Sequence, residues 1–276
     1  MPIVFPGFRT KALTFSYDDG TLQDRRLAAL FRKYGLKATF NLNSGAFDEV
    51  QHGSHGGFSV NFSRVHAGEV RDLYASFEVA SHTLTHPILT DIPDEEIRRQ
   101  VREDIAAISR LTKKPVTGFA YPCGAYNEHV MDLLQEMGIR YARTVEDHHT
   151  FALPENFLAW HPTCHDHDEA AMPLADTFVN STDEELRLFY IWGHSFELDK
   201  DDMDRWQAME KLCAFLAERE DIWYATNGEI CEYVTAMRSV TPKNGQLFNT
   251  SSQPLYIRRT GADVLLQPGD RIELSH

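Results

Sequence analysis

Cysteine is scarce: four residues in 276, Cys123, Cys164, Cys213 and Cys231, with no two close enough to form a C-x-x-C pair. That spacing excludes a zinc knuckle or a disulfide framework and reads as the reduced thiols of a cytosolic protein. Positive charge is also short, because 27 Lys and Arg against 41 Asp and Glu leave a formal net charge of −14. A polyanionic partner is disfavoured, since nucleic acid and anionic membrane surfaces select for Lys and Arg. A neutral or amine-bearing substrate is easier to accommodate. No apolar run reaches the roughly 18 residues that a membrane-crossing helix needs. The first seven residues show no basic region leading into an apolar core, so no signal peptide is expected and the expected location is cytoplasmic. Neither nucleic acid nor membrane is therefore expected as a partner, and oligomerisation is left open.

What is present is an ordinary globular composition, 42% hydrophobic and 25% charged, in a chain long enough for one large α/β domain with at most a small appendage. Apolar runs bounded by turn residues predict strands over 12–17, 37–42, 77–80, 117–121, 141–145, 188–192 and 222–225. Between them lie helical patterns. Leu27, Leu30, Phe31 and Tyr34 recur at helical spacing and Gly35 follows as a cap. Residues 68–76 suggest a short helix. The clearest helix spans 91–113, with Pro93 and three acidic residues in its first turn and Ile97, Val101, Ile105 and Ile108 on one face. Val130, Leu133, Leu134 and Met137 mark another, Trp206, Met209, Leu212 and Leu216 a further one, and Thr226 to Glu229 a capping box that opens a helix through Met237. Residues 48–64, rich in Gly, His and Ser, read as a long loop over one end of the domain, and 146–179 show no clear period.

After residues 241–245 the pattern changes to short β-like runs at 255–258, 263–266 and 271–274, separated by Gly261 and Pro268-Gly269. The expected organisation is a domain over 1–240 with a small β appendage over 241–276, too short to bury a core alone. Strands alternating with helices imply right-handed βαβ units and a largely parallel sheet, either a barrel or a doubly wound sheet. Polar clusters follow strands at four places: Asp18-Asp19, His82 to His86, Pro122 to Gly124, and His194. Strand C-termini share one side of a parallel sheet, so the four can converge, which favours the mouth of a barrel.

Two of these clusters carry chemistry. Asp18 and Asp19 are adjacent at the end of a strand, where successive side chains point oppositely, so both can face one cleft only if the backbone turns at Gly20. His82 and His86 stand four apart in a tight turn closed by Pro87, a spacing at which two imidazoles can share a metal. A carboxylate with two imidazoles leaves coordination positions open, as in catalytic zinc. The second carboxylate of the pair would then be free as a general base beside a water whose pKa the metal lowers from 15.7 toward ~7.

Thr14-Phe15-Ser16-Tyr17-Asp18-Asp19-Gly20, His82 with His86, Tyr121-Pro122-Cys123-Gly124 and Trp192-Gly193-His194 resemble, in order and approximate spacing, the motifs of the polysaccharide deacetylases, the NodB-homology group or carbohydrate esterase family 4. The resemblance runs from Thr14 to about His194. It implies a distorted (β/α) barrel of seven strands, and it implies Asp18 as general base, Asp19, His82 and His86 as ligands of a divalent metal (zinc, or cobalt, nickel or iron), and His194 as the acid that protonates the leaving amine. It also implies that the Cys123 N–H helps hold the oxyanion, with Tyr121, Pro122, Gly124 and Trp192 lining the substrate site. The activity implied is removal of an N-acetyl or O-acetyl group from a carbohydrate, an amino-sugar oligosaccharide being the expected substrate. A hydrolase of a small amide or cyclic imide, and a carbohydrate binder without turnover, are the alternatives.

Two departures stand out. The family commonly has an arginine two residues before the Pro of its third motif, where it pairs with the base; here that position is Ala120, which leaves Asp18 dependent on the metal or on another donor. The family's fourth motif, an acidic segment that orients the catalytic His, has no clear counterpart. Residues 160–167 lie in the right region with Asp166 a candidate, while Glu197 reads equally as the partner of His194 or as a turn cap. His161, Cys164, His165 and His167 read as a polar loop lining the cleft rather than a second metal site. His52 and His55 read as surface residues. Tyr121, Tyr126, Trp160 and Trp192 have the apolar faces suited to sugar stacking, although Trp192 reads equally as barrel core.

Overall fold

The computed structural model describes residues 2–182, 184–200, 204–243, 245–259 and 261–273; Asn244 of the predicted turn and Leu274 of the last predicted strand lie outside them. Eight strands form one wholly parallel sheet: β1 (Lys11–Asp18), β2 (Ala38–Leu42), β3 (Glu78–Ser81), β4 (Gly118–Ala120), β5 (Tyr141–Arg143), β6 (Cys164–His165), β7 (Arg187–His194) and β8 (Ile222–Tyr224). Seven of them lie in the row β5-β4-β3-β2-β1-β7-β6, the curled sheet of a distorted seven-stranded barrel, and β8 pairs with the first half of β1. Every residue of β1 is buried, as expected for a central parallel strand covered on both faces.

Register decides what meets at the top of the sheet. β1 and β7 pair along their whole length, Lys11 beside Arg187 and Asp18 beside His194. Asn41 of β2 stands beside Asp18, and Arg143 of β5 stands beside Ala120 of β4. All the predicted strand ends therefore open on one side.

The helices α1 (Asp24–Lys33), α2 (Asp94–Thr112), α3 (Glu128–Glu136), α4 (Ala171–Asn180), α5 (Asp204–Leu216) and α6 (Asn227–Ser239) cover the outside. α1 turns Leu27 and Phe31 inward, and the Phe31 ring lies 4.8 Å from Phe15 and 6.4 Å from Phe40 in the main core. α2 buries Ile97, Val101 and Ile108, but also Gln100 and Asp104, two polar residues on an otherwise apolar face. Among the described residues no helix is long and apolar enough to cross a membrane.

Several expectations need correction. Residues 48–64 are not merely loop: His52–His55 and Phe58–Asn61 form a hairpin turning at Gly56 and Gly57, both at positive φ as a two-residue hairpin turn demands. Its strands are largely exposed and lack an apolar face, so no alternation betrayed them. Within 68–76 the chain makes a 3-10 turn, Ala67–Glu69, and a single helical turn, Val70–Leu73. In 146–179, α4 buries Ala171, Ala175, Phe178 and Val179; two of these are alanines, which weakens the apolar period. Beyond α6, Thr241–Lys243, Gln246–Phe248 and Arg271–Glu273 make one small antiparallel sheet, while Leu255–Ile257 and Val264–Leu266 take the N-terminal strand Ile3–Val4 into another. The Tyr233 hydroxyl of α6 donates to Val4 O at 2.5 Å and accepts from the Tyr256 N–H at 3.1 Å, so the strands Ile3–Val4 and Leu255–Ile257 are fastened to the same helix.

Truncating the fully buried Phe31 to alanine removes the ring that joins α1 to β1 and β2, and urea denaturation of Phe31→Ala is expected to show a loss of about 3–5 kcal/mol. A loss below ~1 kcal/mol would mean that the interface closes over the cavity.

Candidate functional site

At the end of β1 the backbone reverses through two left-handed residues, Asp19 at φ 79° and Gly20 at φ 63°. The turn thus falls on Asp19 as well as on the glycine. A Cβ on Gly20 would come within 2.9 Å of the Leu42 side chain, so only glycine fits there. The Asp19 N–H donates to Asn41 O at 2.9 Å and fixes the reversal. Two consecutive carboxylates are thereby brought toward one set of imidazoles instead of opposite faces.

Asp18 is 2% exposed. Its Oδ1 accepts from Asn41 Nδ2 at 2.8 Å, its Oδ2 is bound by Arg143 Nη2, and His82 Nε2 and His194 Nε2 each lie 3.9 Å from Oδ2. Burial pushes this carboxyl up, but the Arg143 guanidinium, with His82 and His194 beside it, holds it well below the usual carboxylate range. Arg143 supplies the cation that Ala120 does not. The two residues are direct neighbours on adjacent strands, so the guanidinium reaches Asp18 from one strand further along, past a methyl side chain. Arg143 is fully buried; its Nη1 donates to Thr144 O at 2.9 Å, and its guanidinium lies 4.4 Å over the Trp192 ring. The sequence signal was an arginine in Tyr141-Ala142-Arg143, at the buried end of a strand, where a charge needs a partner.

Asp19, His82 and His86 offer ligand atoms that all lie within 4.8 Å of one another. His82 is buried, and its Nδ1 faces the Ala120 carbonyl at 2.8 Å, which fixes a tautomer with Nε2 free toward the two carboxylates. Burial pushes His82 down to about 4, so its imidazole is neutral, the form that binds metal. Asp19 Oδ1 is buried and accepts no hydrogen bond, although Arg64 Nη1 stands 3.1 Å away. An orphaned carboxylate oxygen beside two imidazoles fits a divalent cation, with the nitrogen and oxygen donors of a zinc site. The turn itself is held by groups absent from the sequence reading. Asn43 Nδ2 binds Thr83 O at 3.0 Å, and Gln100 of α2 exchanges 2.9 Å bonds with Thr85. Asp104 of α2 accepts from Ser81 Oγ and from the Ser44 N–H. Thr83 and His86 are both left-handed, at φ 69° and 62°, which folds the two imidazoles together with centroids 4.7 Å apart.

His194 turns Nε2 toward Asp18 and Nδ1 toward Glu197 Oε2, 3.3 Å away. Of its two readings, Glu197 is thus in contact with the imidazole. Burial pushes His194 down, but Glu197, Asp18 and Asp19 outweigh it and raise its pKa. Glu197 also faces His165 Nε2 at 3.1 Å, Lys200 Nζ at 3.0 Å and His55 Nε2 at 3.1 Å. His55, expected at the surface, is half exposed but reaches this buried carboxylate from the hairpin. Asp166 does not touch His194; it accepts from the Tyr17 hydroxyl at 2.6 Å and lies 2.9 Å from His165 Nδ1. Ser195, next to His194, donates to the buried Asp24 at 2.5 Å, and Tyr74 donates to the same carboxyl at 2.6 Å. Burial pushes Asp24 up to about 7, against the hydrogen bonds from Ser195 and Tyr74.

The third motif enters as a 3-10 turn, Pro122–Gly124, with Cys123 at φ 55° and Gly124 at φ 70°. A Cβ on Gly124 would meet Val145 at 2.2 Å. Cys123 is exposed beside this turn, but the Tyr121 side chain is core: it is fully buried and its hydroxyl donates to Leu158 O at 2.8 Å. Trp160 is likewise buried, against Tyr141, Phe157 and Tyr190. Neither ring is available to stack on a sugar. Trp192 is 7% exposed, with one face under Arg143 and its Nε1 donating to Asp147 at 2.7 Å. Tyr126, partly exposed and stacked on Tyr121 at 5.3 Å, is the one ring of the four open enough to meet a ligand.

Residues 7–142 match the family model described as polysaccharide deacetylase. A candidate polysaccharide deacetylase from Mycobacterium smegmatis is 19% identical at a TM-score of 0.64, over 88% of this chain and 96% of that one. The Xyl-CE4 domain of a multidomain xylanase from the hindgut metagenome of Trinervitermes trinervoides is 18% identical at 0.51, over 84% and 93%. A mutant of a Bacillus anthracis pseudoenzyme of carbohydrate esterase family 4 is 16% identical at 0.51, over 83% and 69%. At these identities the structural likeness establishes the fold. No curated protein sequence matches the chain.

Removing the guanidinium strands a buried carboxylate, so Arg143→Ala is expected to lose about 3–5 kcal/mol in urea denaturation. Adding Ala120→Arg to that variant returns a cation to the neighbouring strand and should recover most of the loss; no recovery would mean that Arg143 acts by packing on Trp192 instead. Asp24, at about 7 when folded against about 3.9 when unfolded, contributes stability that is complete below pH ~3.9 and is lost as pH rises through about 7. The stability of the wild type relative to Asp24→Asn should therefore fall over that window, and a constant difference would show that Asp24 does not titrate there.

Proposed function

Residues 7–142 belong to the polysaccharide deacetylase family, and from that premise we propose that this protein is a metal-dependent hydrolase that removes an N-acetyl group from an amino-sugar oligosaccharide. The observation that carries the reading is the division of labour within one carboxylate pair. Asp18 is paired with a buried arginine and surrounded by imidazoles, while Asp19 keeps an orphaned oxygen toward His82 and His86.

Asp19, His82 and His86 would hold the cation, which when bound supplies Lewis acidity to activate a water and polarise the acyl carbonyl. Asp18 Oδ2 is the base that takes the water's proton; Arg143 and Asn41 keep it ionised and oriented. The N–H of Cys123, at the left-handed turn after Pro122, is the backbone donor for the oxyanion. His194 carries its proton on Nε2, facing the base, and Glu197 holds Nδ1–H, so the imidazolium can protonate an amine that leaves poorly as an anion. Ala120 alone had argued for a binder without turnover. Arg143 removes that argument, because the base does not lack its cation.

Acetate release from zinc- or cobalt-loaded protein with chito-oligosaccharides tests the reading, with ureides as the competing substrate class. Asp18→Asn is expected to lower kcat by about 10²–10⁴. Ring opening of a ureide without acetate release would favour the small-amide alternative. Saccharide binding with no turnover, unchanged by Asp18→Asn, would favour the binder.

A further inference from the structure

We propose that His165, His194 and Glu197 form a second divalent-cation site beside the proton-donor imidazole, separate from Asp19, His82 and His86. The three ligand atoms lie within 4.8 Å of one another. From Glu197 Oε2, His165 Nε2 is 3.1 Å away and His194 Nδ1 is 3.3 Å away. Zinc bonds of ~2.0–2.2 Å in tetrahedral geometry put neighbouring ligand atoms about 3.4 Å apart, so the two spacings from Glu197 match a coordination sphere.

The surroundings set the ring nitrogens for the task. Asp166, whose side chain is fully buried and fixed by the Tyr17 hydroxyl, sits 2.9 Å from His165 Nδ1. A carboxylate beside the far nitrogen is the usual companion of a metal-binding histidine, and the Nε2 nitrogen is the one that lies next to Glu197. A lone pair and a carboxylate oxygen 3.1 Å apart repel unless a cation lies between them, either a proton or a metal ion. Three ring nitrogens crowd the one oxygen, since His167 Nδ1 is also 3.7 Å from Oε2, and it offers only two lone-pair directions. Lys200 Nζ and His55 Nε2 occupy the other oxygen, Oε1. A metal here must displace a proton and share Glu197 with a lysine, so the site is weaker than the first. The sequence had suggested a different set, His161, Cys164, His165 and His167, and a polar loop as the better reading. Cys164 is in fact buried, and the ligands come from two separate stretches, His165 from one and His194 with Glu197 from the other.

Occupancy has a chemical consequence that rests on the deacetylase reading, although the site itself does not. A cation on Nδ1 removes the proton Glu197 would hold there. The imidazole is left with Nε2–H alone, and giving that up would leave an imidazolate. Protonation of the leaving amine stops, and excess metal inhibits.

Titrating the metal-stripped full-length protein with Zn2+ by calorimetry tests the site. The wild type should bind a tight and a weaker equivalent; His165→Gln should lose only the weaker one, and Asp19→Asn only the tight one. A single equivalent in the wild type, or a weaker equivalent that persists in His165→Gln, overturns the proposal. Should His165→Gln bind nothing, Glu197→Gln decides by the same criterion. In parallel, acetate release by the wild type should fall about a hundredfold between one and excess equivalents, while the same ratio stays flat in His165→Gln. Two equivalents with no acetate release at any zinc level keep the second site and sink only the deacetylase reading.

Discussion

The interaction on which the site depends is the ion pair between Asp18 and Arg143. Both groups are buried, and each would be costly there alone. Their pairing requires a small side chain at Ala120, a flat ring at Trp192 to carry the guanidinium, and Asp147 to hold that ring by its indole nitrogen. A cation moved by one strand is thus accommodated by a chain of contacts running from β4 across β5 to β7. The carboxylate remains charged in a position where burial alone would neutralise it.

Placement of the candidate ligands is a matter of register and of backbone conformations that few residues adopt. The full-length pairing of β1 with β7 brings His194 level with Asp18. Left-handed residues at Asp19, Gly20, Thr83 and His86 then re-aim side chains that regular strands would send elsewhere. Such conformations persist only where the surroundings enforce them. Here α2 does so: Gln100 and Asp104 interrupt its apolar face to bind the turn between His82 and His86. A helix that reads as a structural element is also the support of the His82–His86 pair.

On the other side of the cleft, Glu197 gathers His194, His165, His55 and Lys200 around one carboxylate. Such a concentration of donors can hold an imidazole in one orientation, but it also gathers ring nitrogens close around one carboxylate. On the proposed reading the same geometry holds a proton donor and offers a cation a place beside it.

The sequence by itself determined the alternation of strands and helices, because long apolar runs and strong helical periods report local burial. It also singled out Asp18, Asp19, His82, His86 and His194 as candidates, each in a short contiguous motif at a strand end. It missed the hairpin around Gly56-Gly57, whose exposed strands carry no apolar pattern, and α4, whose alanines blur its period. It offered Tyr121 and Trp160 as rings suited to stack on a sugar, although both belong to the core. Only the tertiary structure decided that Arg143 replaces the arginine absent at Ala120, that Glu197 rather than Asp166 meets His194, and that His55 and His165 converge on the same oxygen pair. Apart from Glu197, three residues from His194, these are contacts between side chains tens of residues apart in sequence. The register of a parallel sheet brings them together, and no local spacing encodes that register.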